Sequence, residues 1–94
     1  MIKINFHLSI LGNREPVKLL RLLLYIAAKH GAQQFIEAIF HSSAGRVVFE
    51  SYKDKSKLPE VIAKEYGNYE TAHYLEAITK RYLFMRMRRT VILN

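Results

Sequence analysis

The sequence predicts an all-α fold of two stacked helix-turn-helix repeats, closed by an extended C-terminal helix that acts as a cap. Two segments, 24–36 and 60–72, share apolar and small residues when Gly31 is aligned with Gly67, an offset of 67 − 31 = 36. Proline opens each predicted repeat, at Pro16 and Pro59, where its missing N–H would be unpaired in any case. A helix, a glycine stop and a second helix, repeated at this period, indicate a stacked helical repeat.

Residues 1–15 form an N-terminal leader. Apolar and polar residues alternate from Ile2 to Ile10, which is the period of a half-buried strand, and Gly12-Asn13 follows as a turn. A single strand has no partner here, so a self-made sheet is not expected. The leader is either a strand-like segment or the edge of a preceding repeat.

The first repeat spans residues 16–44. Its first helix is predicted from Pro16 to His30, with Gly31 as the left-handed stop. Its second helix is predicted from Gln33 to Phe40, so the two make a helical hairpin. Helical spacing predicts these buried positions: Leu19, Leu20, Leu23, Leu24, Ala27, Ala28, Phe35, Ile36, Ile39 and Phe40.

A connector, residues 45–57, precedes the second repeat, residues 58–80. Within the connector, Val47-Val48-Phe49 is predicted as a short apolar, extended anchor, and residues 53–57 as a charged tip exposed to solvent. The second repeat is predicted to have helices at 59–66 and 69–80. Its predicted core positions are Val61, Ile62, Ala63, Ala72, Leu75 and Ile78.

Two repeats are fewer than the roughly three that usually stand alone. The apolar stripe of the last helix continues to Met85, so we predict that this helix extends to about Met87 and caps the stack. Alternatively, the chain is a fragment of a longer array or pairs with itself. The basic extension at 81–94 is predicted to end at 90–93 in a frayed or β-like segment.

Composition narrows the function classes. The chain has 94 residues, half of them hydrophobic, no cysteine and a formal net charge of +7. Disulfides and thiolate metal sites are therefore excluded, while anionic partners are favoured by long-range attraction. The longest apolar run, 19–28, is too short for a membrane span of about 20 residues, and no targeting segment is found. We expect a soluble, cytoplasmic protein.

Catalytic chemistry is not indicated. The histidines His7, His30, His41 and His73 are far apart, and no two have the i, i+4 spacing of a helical metal pair. The glycines do not form a phosphate-binding pattern. We expect no enzyme activity, no cofactor and no metal.

The paired hairpins resemble ankyrin repeats over roughly residues 19–79. The first hairpin has the family's Leu24, Ile26, Ala27, Ala28 and Gly31, and the second has Leu58, Pro59, Ile62, Ala63, Gly67, Ala72 and Leu75. The segment 58–67, Leu-Pro-Glu-Val-Ile-Ala-Lys-Glu-Tyr-Gly, is also similar to the divergent ankyrin pair of cytoplasmic B-cell adaptor and scaffold proteins. The family's intact Asp-x-x-Gly turn is missing near Asp54.

The resemblance implies a scaffold or adaptor that binds another protein through its first helices and connector. It places partner contacts at residues predicted to be exposed: Tyr25, Lys29, His30, Lys53, Lys55, Lys57 and Lys64.

The C-terminal segment offers a rival function. It contains five cations and no acid after Glu76: Lys80, Arg81, Arg86, Arg88 and Arg89. Interleaved aromatic and methionine residues make it a basic amphipathic helix. One interpretation is a capping helix with a solvated face; the others are a site for nucleic acid or an anionic membrane surface, or for a helix-groove partner.

Overall fold

Every regular element in the described part of the chain is an α-helix, which confirms the all-α prediction for those residues. The computed structural model describes the backbone of residues 15–93 and the side chains of residues 16–84, so the predicted leader lies outside the described residues except at its last position. Five helices follow one another: α1 (Glu15–His30), α2 (Gln33–Phe40), α3 (Gly45–Tyr52), α4 (Pro59–Glu65) and α5 (Tyr69–Leu93).

The two glycine turns have the same backbone hydrogen bonds. After α1, the Ala32 N–H donates to the Ala27 carbonyl (2.9 Å); after α4, the Asn68 N–H donates to the Ala63 carbonyl (2.8 Å). Donors and acceptors are both 36 positions apart, since 68 − 32 and 63 − 27 each give 36. Gly31 and Gly67 sit in the left-handed region, with φ of 68° and 78°, where a residue with a Cβ is strained.

The first helices of the two hairpins pack side by side, because α1 contacts α4 as well as its own partner α2. Asn68 joins the two turns. Its Nδ2 donates to the carbonyls of Ala28 (3.2 Å) and Lys29 (2.8 Å), which belong to the last turn of α1. The Ala28 carbonyl also accepts a hydrogen bond from the Gly31 N–H (3.4 Å), so the Asn68 side chain adds to the backbone cap at the end of α1.

The connector differs from the prediction, because residues 45–52 form a helix and the extended anchor predicted at 47–49 is wrong. Val48, Phe49 and Tyr52 lie on one face of α3 and are fully buried, so helical spacing lets all three reach the core. An extended segment would send Val48 and Phe49 to opposite sides. The helix α3 packs against α1, and Arg21 of α1 donates to the Ser51 carbonyl (3.1 Å).

The last helix runs through Leu93, beyond the predicted end near Met87, so the predicted frayed or β-like end at 90–93 is wrong. Its side chains cap the connector. Tyr82 stacks on Phe49 of α3 with ring centroids 4.8 Å apart, and lies 6.5 Å from the ring of Phe40 in α2. The helix α5 continues through residue 80, where the second repeat is predicted to end and the basic extension to begin.

The core takes side chains from all five helices. Its fully buried members include Leu24, Ile36, Ile39, Val48, Phe49, Tyr52, Ala63 and Leu75. Three predicted core residues are exposed instead: Leu19 (57%), Leu23 (37%) and Val61 (39%). Within the described range, no helix is both long enough and apolar enough to cross a membrane.

Candidate functional site

The most conspicuous surface feature is an apolar stripe on α1. Leu19, Leu22, Leu23 and Ile26 are 57%, 56%, 37% and 46% exposed, and their i, i+3, i+4, i+7 spacing puts them on one face of the helix. We call these four residues the α1 stripe. The opposite face of α1, with Leu20, Leu24, Ala27 and Ala28, is buried in the core. The helix is therefore apolar on both sides, which is typical of a helix that is covered on both sides.

Cations lie at both ends of the α1 stripe. Lys18 precedes the stripe and Lys29 follows it; both are exposed, as is the neighbouring His30. The Lys29 ammonium lies 5.3 Å from the centre of the Tyr66 ring, which places the C-terminal ends of α1 and α4 on one surface. The one acidic residue of α1 is its first, Glu15.

Two of the residues predicted to bind a partner are less exposed than the pattern suggested. Tyr25 is half-buried: its hydroxyl donates to the Lys57 carbonyl (2.7 Å), and its ring packs edge-on against Tyr52 at 6.4 Å. Burial raises the pKa of Tyr25, and the Glu60 carboxylate adds to this effect. Lys53 is also half-buried, with its ammonium 2.8 Å from Asp54 and 3.9 Å from Glu50. Both side chains are therefore engaged in contacts within the protein.

The remaining predicted contacts, Lys29, His30, Lys55, Lys57 and Lys64, are exposed as expected. Two of them form ion pairs with acidic residues of the second repeat. Lys57 lies 3.0 Å from Glu65, and Lys64 lies 2.6 Å from Glu76. The hydrogen bond and charge of Lys64 hold the pKa of Glu76 below its ordinary value.

The structure brings only part of the predicted set together. Tyr25 and Lys57 are joined by their hydrogen bond, and Lys29 lies one helical turn beyond Tyr25 on α1. The C-terminal set is also divided. Lys80 and Arg81 are exposed on α5 near the exposed Leu83 (43%) and Phe84 (60%), whereas the side chains of Arg86, Arg88 and Arg89 lie outside the described ones.

A buried polar cluster lies between α3, α4 and α5. Glu60 is only 6% exposed; its Oε2 accepts a hydrogen bond from the Thr79 hydroxyl (2.8 Å), and its Oε1 has no partner. The Tyr52 hydroxyl is buried without a partner, and burial, together with the Glu60 carboxylate, raises the pKa of Tyr52. A cleft of about 230 Å³ adjoins this cluster, lined by Phe49, Tyr52, Lys53, Asp54, Leu58, Thr79 and Leu83. The sequence pattern did not predict the cluster.

The α1 stripe was also missed from the sequence, because two of its leucines, Leu19 and Leu23, were assigned to the core. The signal that indicates it is the breadth of the apolar residues in α1. This helix contains a leucine pair, Leu19-Leu20, and a leucine triplet, Leu22-Leu23-Leu24. Consecutive residues point in different directions on a helix, so these leucines occupy more than one face.

No group of three metal-ligating side chains suited to a metal ion occurs among the described residues. Comparisons with models of known protein families, with curated proteins and with solved structures give no match to this chain.

Proposed function

We propose that this chain is a non-catalytic protein-interaction module of the ankyrin-repeat type, a scaffold or adaptor that binds through the α1 stripe. The observation that carries the proposal is the exposure of four large aliphatic side chains on one helix face. A contiguous exposed apolar patch on a protein surface often marks an interaction site.

The energy available from the α1 stripe fits a binding site. Fully burying a leucine or isoleucine is worth about 1.5–3 kcal/mol, and these four are roughly half exposed. Covering them therefore yields roughly 3–6 kcal/mol in total. Association costs about 4–15 kcal/mol in lost freedom, so the stripe needs further contacts at its margins to bind a partner stably.

The ankyrin assignment is supported by the two glycine turns. They share their hydrogen bonds at an offset of 36, and the first helices α1 and α4 pack together, with Asn68 between the turns. In proteins that this chain resembles, the first helices and connectors form the binding surface. The chain departs from the family pattern in the connector, where residues 45–52 form helix α3 and the family is expected to have a β-turn.

A display selection tests this proposal. A library of helix-forming peptides is selected against the whole chain, with Leu22→Ser/Ile26→Ser as the matched counter-target. Both side chains are about half exposed, so this variant should melt close to the unsubstituted protein. We expect enriched peptides that bind the unsubstituted chain and lose binding to the variant. Peptides that bind both proteins equally would contradict a role for the α1 stripe.

A second candidate function is binding of anionic surfaces through α5. Lys80 and Arg81 are exposed beside the exposed Leu83 and Phe84, and no acid follows Glu76 in the sequence. Titration with duplex DNA and with phosphatidylserine vesicles at increasing salt tests it, because phosphate binding weakens as counterions compete. Binding that falls steeply with salt and is lost in Lys80→Glu/Arg81→Glu would favour this candidate.

A further inference from the structure

The margins of the α1 stripe have more positive than negative charge. Lys18 lies one position before the stripe and Lys29 three positions after it, while the one acid of α1, Glu15, lies four positions before Leu19. Among the described side chains, the salt bridges use Lys53, Lys57 and Lys64, and none of them involves Lys18 or Lys29. The ammonium of Lys29 faces the Tyr66 ring, a neutral partner that leaves its charge in place. The stripe is thus an apolar surface with cations at each end.

The dimensions of the surface fit a helix. Leu19 and Ile26 are seven residue steps apart, or about 10 Å along the axis, and Lys18 and Lys29 are eleven steps apart, or about 16 Å. An amphipathic helix that docks alongside presents apolar residues at i, i+3, i+4 and i+7 over the same length. Its flanking positions then come within reach of Lys18 and Lys29.

We propose that the α1 stripe binds an amphipathic helix of another protein that is apolar on its contact face and acidic along its margins. The inference rests on the proposed interaction function and names the chemistry of the partner. Opposite charges at the two ends fix the register of the helix and raise its rate of association, while the apolar contact provides the affinity.

The same charges disfavour the two other occupants available within this chain. A second copy would bring Glu15 to the contact as well as its own Lys18 and Lys29, so its α1 stays net positive, and the formal net charge of +7 on each copy opposes self-association. The leader at residues 1–15 contains two cations, Lys3 and Arg14, and one acid, Glu15, so its formal net charge of +1 favours it less than an acidic partner beside the lysines.

Two labelled peptides of about three heptads test the proposal. Both have leucine on the contact face; one has glutamate at the flanking positions and its matched control has lysine there. Fluorescence anisotropy measures binding of each peptide to the whole chain at low salt and at about 0.3 M salt. We expect the glutamate peptide to bind at least about tenfold more tightly, with a difference that shrinks as salt rises. Equal binding of the two peptides would overturn the proposal without any variant of the protein.

Charge reversal on the protein gives the second arm. Lys18→Glu/Lys29→Glu should weaken the glutamate peptide by about tenfold and strengthen the lysine peptide, whereas Arg46→Glu on the exposed face of α3 should change neither by more than about twofold. Circular dichroism melts of each variant verify that the fold is kept. An unchanged preference in the folded double variant would overturn the acidic partner.

The design separates this inference from the proposed function. If Leu22→Ser/Ile26→Ser abolishes peptide binding but charge reversal has no effect, the interaction surface stands and the acidic partner is wrong. If Leu22→Ser/Ile26→Ser binds both peptides as tightly as the unsubstituted chain, the proposed function is wrong as well.

Two further results would assign the α1 stripe to another occupant and overturn the inference. One is a dimer of the chain in light scattering that Leu22→Ser/Ile26→Ser dissociates. The other is tighter binding of both peptides, irrespective of charge, by a Phe6→Ser/Leu8→Ser leader variant. A monomer with unchanged binding in the leader variant supports the proposal.

Discussion

The two turn glycines provide a matched pair for testing how the hairpins stack. Both have positive φ, at 68° for Gly31 and 78° for Gly67. A Cβ at Gly67 would meet nothing within 4 Å, whereas a Cβ at Gly31 would lie 2.8 Å from Oδ1 of Asn68. Substitution by alanine therefore strains the backbone equally at both sites but disturbs the contact between the turns only at Gly31.

The magnitudes follow from these distances. Alanine in the left-handed region costs about 1–2 kcal/mol, so Gly67→Ala should lower the free energy of unfolding by that amount. Gly31→Ala adds the displacement of Asn68, whose two hydrogen bonds to the Ala28 and Lys29 carbonyls are worth about 0.5–1.5 kcal/mol each. We expect a total of about 2–5 kcal/mol for Gly31→Ala.

Urea unfolding, monitored by circular dichroism, gives the free energy of unfolding of the four proteins of a double-mutant cycle. They are the unsubstituted chain, Gly31→Ala, Asn68→Ala and the double variant. Because Asn68→Ala removes the atoms that a Cβ at Gly31 would meet, the double variant should be more stable than the sum of the single effects predicts, by about 1–2 kcal/mol. Equal costs for Gly31→Ala and Gly67→Ala, or strict additivity in the cycle, would refute the stacked turns.

Three further predictions concern the core, the buried carboxylate and the surface ion pair. Phe49→Ala should cost about 3–5 kcal/mol in urea unfolding because Phe49 is fully buried, and a cost below about 1 kcal/mol would argue against helix α3 as part of the core. Thr79→Val leaves the buried Glu60 without its hydrogen-bond donor and should lower the free energy of unfolding by about 1–3 kcal/mol. Adding Glu60→Gln to this variant should restore part of the lost stability. If it restores none, the unpaired Glu60 carboxylate is not the cause of the loss. The Lys64 ammonium lowers the pKa of Glu76 from 4.5, so the unsubstituted protein should be more stable than Glu76→Gln at neutral pH. In thermal melts this difference should disappear as the pH falls below 4.5. A difference that stays constant with pH would contradict the ion pair.

The hairpins were predictable because strong local signals mark their ends. Pro16 and Pro59 occur near helix starts, and Gly31 and Gly67 occupy positive φ at helix ends. These constraints act within a few residues, so the sequence alone locates them. The predicted bounds of α2, residues 33–40, agree with the structure, and those of α4 differ by one residue.

The connector helix was missed because its pattern is short and ambiguous. Val47-Val48-Phe49 contains β-branched and aromatic residues, which favour a strand over so few positions. Its helical state is fixed by tertiary contacts instead: Phe49 stacks on Tyr82, which is 33 residues away by the subtraction 82 − 49. Packing over that distance is not encoded in the local spacing.

The candidate site was only partly predictable for a related reason. Sequence spacing identifies apolar faces of α1 but does not say which face the rest of the chain covers, so Leu19 and Leu23 were placed in the core. Likewise, Tyr25 and Lys53 are polar at their tips, yet contacts with Lys57 and Asp54 hold them against the protein. The arrangement of α1, α3 and α4 decides both outcomes.

Methyl NMR of the whole chain during titration with the glutamate-flanked helical peptide tests the central claim most directly. The α1 stripe should supply the perturbed methyl signals, from Leu19, Leu22, Leu23 and Ile26. The buried Leu24 and Ile39 serve as internal controls and should keep their shifts. Perturbation confined to Leu83 and the remainder of α5, with the α1 stripe unchanged, would contradict the account and place the interaction surface on the basic helix.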